Sequence, residues 1–194
     1  MTKKIMFSDK YCLTQAVLSG TKTMTRRLLK DNTPLGNWEE TVKHLSYKVG
    51  DIIAIAQPYK DIIECMAEYS DIIINVDGSI NREYKAGWTN KMFVKSNLMP
   101  YHIRITDIKI ERLQDISKED CLKEGIIFIE SLSIIGDDAY FFTVKPKARQ
   151  LYGNILKFFS SPQRAYADLI DKISGRGTWK RNPWVGAYSF ELVD

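Results

Sequence analysis

The stretch Leu18-Ser19-Gly20-Thr21-Lys22-Thr23-Met24-Thr25-Arg26-Arg27 runs a helix-stopping glycine into a dense row of hydroxyls and cations. Upstream, Ser8 or Asp9 can cap a helix whose Leu13, Ala16 and Val17 share one face, and Gly20 fits the left-handed position where that helix stops. Thr23, Met24 and Thr25 then favour extended chain. Three hydroxyls, one ammonium and two guanidiniums are therefore displayed on one turn and the strand after it. Such a display suits phosphate or a polar planar ligand, because guanidinium forks and hydroxyls offer directional hydrogen bonds. A surface strand edged with solvated charge fits the same pattern.

Beyond this stretch the chain contains no repeat, low-complexity tract or Pro/Gly-rich linker, so a single domain spanning residues 1–194 is expected. Hydrophobic residues at 44% and charged residues at 27% are ordinary for a folded globular chain and exclude a disordered one. The net charge of +4, with an isoelectric point near 8.8, is only mildly basic. It falls short of the value above roughly 9 that marks an overtly nucleic-acid-binding domain, so local clusters must carry any such role. Cys12, Cys65 and Cys121 are odd in number and lack metal spacing, which reads as reduced core thiols in a cytoplasmic protein. With His44 and His102 the only histidines, no metal is expected. Neither a signal peptide nor a membrane-spanning run is apparent, and no membrane association is expected.

Short strands are predicted at Lys3 to Phe7, Thr23 to Leu28, Ile52 to Ala56, Ile62 to Tyr69 and Ile72 to Val76, the last followed by a hairpin turn at Asp77-Gly78. Asp31 to Lys48 reads as a polar, irregular loop. Ile103, Ile105, Ile108 and Ile110 mark a strand whose alternation slips after Ile105. Ser117 can cap a two-turn helix ended by Gly125, with Ile116 and Cys121 as its hydrophobic staple. Phe141 to Val144 can pair as a strand, whereas Lys147 to Phe159 is ambiguous between helix and loop. Ser161-Pro162 starts a helix with Tyr166, Leu169, Ile170 and Ile173 on one face, and Val185 to Val193 alternates as a closing strand. Many short strands with helices between them suit a small barrel with helical additions.

Helix followed by G-x-K-T-x-T-R-R resembles the signature of the ASCH domain family, relatives of the PUA RNA-binding modules. Ile105 to Ile126, ITDIKIERLQDISKEDCLKEGI, is similar to the family's strand and short helix ending in an acidic residue and glycine. Trp179 to Glu191, WKRNPWVGAYSFE, is similar to the closing strand of the larger ASCH proteins of phages and prophages. The resemblance implies an α+β fold, a PUA-like small β-barrel with helical insertions. In ASCH relatives that hydrolyse acetylated cytidine, it implies a threonine nucleophile, a lysine base and a glutamate acid, at positions matched here by Thr25, Lys22 and Glu124. A hydroxyl needs a base to take its proton and an amine leaves poorly unless protonated, so the trio is chemically sensible if Lys22 is neutral. Residues three apart on a regular strand point to opposite faces, so Lys22 and Thr25 can converge only if Lys22 still lies in the turn.

Thr23, Arg26 and Arg27 are further binding candidates, with only one arginine able to enter a shared pocket. Gln57 stands where the phage-like relatives often carry an acidic residue, and its amide can read a base edge. Trp179 and Lys180, beside Arg176, Arg181 and Trp184, mix stacking surface with cations as single-stranded nucleic-acid sites do. Trp88, Met92 and Phe93 read as a hydrophobic plug, and Lys145, Lys147 and Arg149 as a solvated basic run. No Walker loop, dinucleotide fingerprint, Ser-His-Asp triad or EF-hand loop occurs, so no cofactor is expected. The expected function is binding of RNA or a modified nucleobase or nucleoside in a cleft at the Gly20 to Arg27 turn. The alternatives are an amidohydrolase of an acylated cytidine-like nucleoside and a phage accessory protein that binds another protein.

Overall fold

The computed structural model describes residues 3–130, 139–142 and 157–193. The basic run at Lys145, Lys147 and Arg149, most of the ambiguous segment before Phe159, and the end of the strand expected at Phe141 to Val144 lie outside the described residues. In chain order the described elements are β1 (Lys4–Ile5), α1 (Leu13–Leu18), β2 (Met24–Leu28), α2 (Trp38–Lys43), β3 (Ile52–Ile55), α3 (Tyr59–Cys65) and α4 (Ser70–Ile73). They continue with β4 (His102–Arg112), α5 (Lys118–Lys123), β5 (Ile127–Ile129), β6 (Ala139–Phe141), α6 (Pro162–Ser174), α7 (Thr178–Arg181) and β7 (Trp184–Leu192). The fold is mixed α+β, with a five-stranded sheet in the order β1-β3-β4-β7-β2 and a two-stranded sheet of β5 and β6.

The mixed α+β fold is the one expected, and among the described residues its five-stranded sheet is not closed, with β1 and β2 at the two ends of the strand order. Closure needs edge strands long enough to be staggered against one another, and β1 is only two residues long.

The chain forms two compact units, the first made of Met1–Phe7, Ile52–Arg104 and Leu192–Asp194 and the second of Ser8–Asp51 and Ile105–Glu191. In the first, β1 lies parallel to β3, and β3 runs antiparallel to the start of β4. The strands expected between Ile62 and Val76 are instead α3, a 3-10 turn at Ala67–Tyr69 and α4. Their isoleucines suggested strand by propensity, but Tyr59, Ile62 and Ile63 recur at helical spacing and pack with Ala54, Ala56, Tyr84 and Met99. The Asp77-Gly78 turn is present, with Gly78 at φ 79°, yet its hairpin shrinks to a single bridge between Ile74 and Ile80. Met92 and Phe93 are no plug, being 62% and 61% exposed on a 3-10 turn capped by Asn90.

In the second unit β2 runs antiparallel to β7 from Met24 opposite Ser189 to Leu28 opposite Val185. The expected helix before Gly20 is shortened: Asp9–Tyr11 form a 3-10 turn, and α1 starts after Cys12, which sits at φ 54°. Gly20 adopts φ 72°, as the stop position requires. A helix, α2, interrupts the segment read as irregular loop, its start fixed by Asn37, whose side chain accepts from the Glu39 amide at 2.9 Å. Ser117 caps α5 by accepting from the Asp120 amide at 3.0 Å, and Gly125 ends it at φ 99°. The burial of β4 slips after Ile105, with Ile108 the next buried residue. Ser161 caps α6, which buries Tyr166, Leu169 and Ile170 against α5 while Ile173 stays exposed.

Candidate functional site

Two backbone bonds fix the turn after Gly20. The Lys22 amide donates to Ala16 O at the end of α1, and the Thr23 amide donates to Lys123 O at the end of α5, both at 2.9 Å. Two helix ends therefore meet at Lys22, and Gly125 follows so closely that a Cβ there would lie 3.8 Å from the Lys22 stem. The Lys22 ammonium, in a residue 2% exposed, donates to Glu124 Oε2 at 2.6 Å, to Glu124 O at 2.8 Å and to Met24 O at 2.7 Å. Burial pushes the Lys22 pKa below its ordinary value, and the Glu124 carboxylate opposes that shift without cancelling it.

Arg26 joins from β2. Its Nη2 donates to Glu111 Oε1 at 2.6 Å and to Asp120 Oδ2 at 2.8 Å, and its Nη1 reaches Glu124 Oε1 at 3.3 Å. Burial works against the guanidinium's charge, but Glu124, Asp120 and Glu111 outweigh it and hold the pKa above the ordinary arginine value. Cys121, on the same helix as Asp120, is pushed up to about 12, first by burial and then by the neighbouring carboxylates. Two cations and three carboxylates thus form one buried network. Removing one partner from such a network leaves an uncompensated charge, whereas the intact network adds little net stability.

Of the candidates read from sequence, the structure brings Lys22, Arg26 and Glu124 together. Thr25 is 5% exposed and lies opposite Tyr188 across the strand pair, so strand alternation turns it away from the face carrying Arg26. Arg27 shares the Thr25 face, and its charge acts on Tyr47 and Tyr188. The Arg26 guanidinium is paired with the carboxylates of Glu111, Asp120 and Glu124. Thr23 is half-buried and contributes backbone: its carbonyl accepts from the Phe190 amide at 2.9 Å.

Gln57 belongs to the first unit, where it is buried and its Oε1 has no partner among the described residues. Trp179 is half-buried on α7 and stands edge-on to Tyr166 at 6.2 Å, while Lys180 and Arg181 are exposed. Trp184 is half-buried, with the Arg112 guanidinium 4.5 Å above its ring. Glu111, Asp120 and Tyr166 were not singled out from sequence. Tyr166 reads there as part of an apolar helix face, and Asp120 lies in the first turn of α5.

Beside this network a cleft of about 270 Å³ opens between α1 and the end of α5, with Cys12, Gln15, Ser19, Thr21, Gly125 and Ile126 in its wall. Among the described residues no charged side chain lines it. The Ser19 and Thr21 hydroxyls lie 3.0 Å apart, and Thr21 also donates to Ala16 O, so the polar edge is held in place. Among the described residues no group of three or more His, Cys, Asp or Glu side chains could hold a metal ion, and no helix is long and apolar enough to cross a membrane.

The sequence matches no protein-family model and no curated protein. Two solved structures are similar. An ASCH domain from Lactobacillus crispatus is 12% identical, with 98% of this chain and 78% of that chain covered at a TM-score of 0.38. Protein EF3133 from Enterococcus faecalis, of the family model DUF984, is 13% identical, with 94% of this chain and 67% of that chain covered at a TM-score of 0.34.

Proposed function

We propose that the chain binds a nucleobase, within RNA or as a modified nucleoside, in the cleft beside the Gly20 to Arg27 turn. One observation carries this reading: a cleft whose walls, among the described residues, are uncharged opens where Thr21 and Gly125 flank the buried Lys22–Glu124 pair. Uncharged walls suit a flat neutral ring better than a phosphate, and the Gln15 amide with the Ser19 and Thr21 hydroxyls supplies hydrogen-bonding edges. Trp179, Lys180 and Arg181 offer a stacking ring and exposed cations to an RNA strand.

Calorimetric titration with cytidine and with a short single-stranded RNA tests the reading. Binding that weakens at least tenfold in Thr21→Val supports it, and no binding of either probe at millimolar concentration defeats it. A second reading, hydrolysis of an acylated nucleoside, draws on the direct contact between Lys22 and Glu124 and on the lowered pKa of Lys22. It requires Thr25 to reach a substrate from a face that strand alternation turns away from Arg26.

A further inference from the structure

Arg112, at the end of β4, takes no part in the cleft or in the buried network. Its guanidinium lies 4.5 Å above the Trp184 ring, and its Nη1 donates to Asn182 O at 3.2 Å. Three further bonds clamp the same stretch to the chain around the end of α7. The Leu113 amide donates to Pro183 O at 2.9 Å, while the Gln114 amide donates to Asn182 Oδ1 and the Gln114 side chain to Trp179 O, both at 2.8 Å. An exposed arginine is thus held by a ring below it and a carbonyl beside it, so less side-chain entropy is lost when it binds something else.

The surroundings carry surplus positive charge. Arg112, Arg176, Lys180 and Arg181 are exposed, and none forms an ion pair among the described residues. Elsewhere on the surface lysines do pair, Lys43 with Glu40 and Lys157 and Lys172 with Asp168. Arg112 and Arg181 bond neutral oxygens only, Asn182 O and Thr178 Oγ1. Between Asp171 and Glu191 the sequence has no acidic residue, and Asp171 spends its carboxylate on the Gly177 and Trp179 amides, at 3.0 and 2.7 Å. Cations lacking carboxylates beside the half-buried rings of Trp179 and Trp184 combine the two features that single-stranded nucleic acid uses, phosphate attraction and stacking. An acidic peptide matches the charge but brings no bases to the rings.

We propose that Arg112 holds a backbone phosphate of a single-stranded RNA through the Nε and Nη2 edge that Asn182 leaves open, with Lys180 and Arg181 on neighbouring phosphates. A guanidinium edge meets two phosphate oxygens as a fork, which an ammonium cannot do. The proposal rests on the RNA half of the reading above and adds a surface apart from the cleft.

The test titrates a short oligouridylate, and separately cytidine, which has no phosphate, into the parent, Arg112→Gln and Arg112→Lys at several salt concentrations. In Arg112→Gln the logarithmic salt slope for the oligouridylate falls by roughly 0.7, which leaves binding roughly fourfold weaker at about 0.15 M salt. Arg112→Lys keeps the slope, because the charge remains, yet binds more weakly than the parent because the fork is lost. Cytidine affinity is the same in all three. A slope that does not fall in Arg112→Gln overturns the proposal and leaves Arg112 as a cover for Trp184. An oligoglutamate bound more tightly than the oligouridylate at the same salt also overturns it, in favour of an acidic protein partner. The two readings fail separately. A parent that binds cytidine but not the oligouridylate loses this surface and keeps the cleft, whereas oligouridylate binding that survives Thr21→Val but loses its slope in Arg112→Gln keeps this surface and removes the cleft.

Discussion

Lys22 and Glu124, 102 positions apart in sequence, meet in a buried ion pair at 2.6 Å. The pair is made by two helix ends: Gly20 turns the chain out of α1 just before Lys22, and Gly125 ends α5 just after Glu124. Its energetics follow from burial. Glu124→Leu strands a buried ammonium and is expected to destabilise the fold by about 3–5 kcal/mol, as broken buried pairs do. The double variant Lys22→Met with Glu124→Leu is expected to recover most of that loss. Urea denaturation of the two singles and the double checks it, and a double variant no more stable than the worse single contradicts it.

Gly125→Ala places a side chain at φ 99°, where its Cβ would approach Leu13 Cδ2 to 3.3 Å. Left-handed backbone alone costs a non-glycine residue about 1–2 kcal/mol. The same methyl narrows the wall of the cleft. Loss of stability in denaturation, together with weaker nucleoside binding in titration, is the expected result. A loss of stability with unchanged binding places the ligand elsewhere.

Alkaline stability tests Cys121. Its thiol titrates at about 12 in the folded chain against 9.0 ordinarily, so above pH 9 the unfolded chain loses a proton that the folded chain keeps. The unfolded state then binds fewer protons, and stability falls with rising pH by about 1.4 kcal/mol per unit for that one group. Lys22 acts in the opposite sense: its lowered pKa leaves the unfolded chain holding the extra proton, so stability rises with pH until the unfolded lysine titrates. The net slope mixes both, but Cys121→Ala removes only the first. Urea midpoints between pH 8.5 and 11 are expected to fall less steeply in Cys121→Ala than in the parent, and parallel curves contradict the assignment.

Which parts were legible follows from how local their causes are. The stop at Gly20, the caps at Ser117 and Ser161 and the closing strand were readable because cap chemistry and alternation act within a few residues. Helix α2 was missed because Trp38–Lys43 is short and offers only Trp38 and Val42 as apolar positions, beside Asn37 and two glutamates. The isoleucines between 62 and 76 misled because β-propensity outweighed a short helical spacing. Lys22 and Glu124 came as a pair through the family resemblance. Two other partners of Arg26 did not, since Glu111 and Asp120 lie 85 and 94 positions away and long-range ion pairing leaves no local pattern. The open sheet was illegible for the same reason: closure depends on edge strands finding each other.

RNA binding is expected to use exposed cations. Lys180→Ala and Arg181→Ala remove two from α7. Each lost phosphate contact is expected to lower the logarithmic salt slope by roughly 0.7 for a single strand. Arg26→Ala is not an equivalent probe, because it breaks the buried network and tests folding instead. Fluorescence titrations at several salt concentrations give the slopes, and identical slopes in the parent and both variants argue against a phosphate-binding surface on α7.

Chemistry and binding separate at Thr25. The residue is 5% exposed and shares its strand face with Arg27 rather than Arg26. If it attacks an acyl carbon, Thr25→Ala abolishes release of acetate from N4-acetylcytidine and leaves affinity nearly intact, since the lost interaction belongs to the transition state. Thr25→Ser then retains some rate, because it keeps the hydroxyl. If Thr25 only packs between β2 and β7, Thr25→Ala costs about 1 kcal/mol of stability and the parent shows no turnover. The discriminating variable is pH. A lysine base works only when neutral, and burial has moved Lys22 in that direction, so a hydrolase must gain rate as pH rises toward the Lys22 pKa. Acetate release followed from pH 6 to 10 decides the matter: a rising limb lost in Thr25→Ala supports hydrolysis, and a parent that binds the nucleoside without releasing acetate at any pH leaves binding as the function.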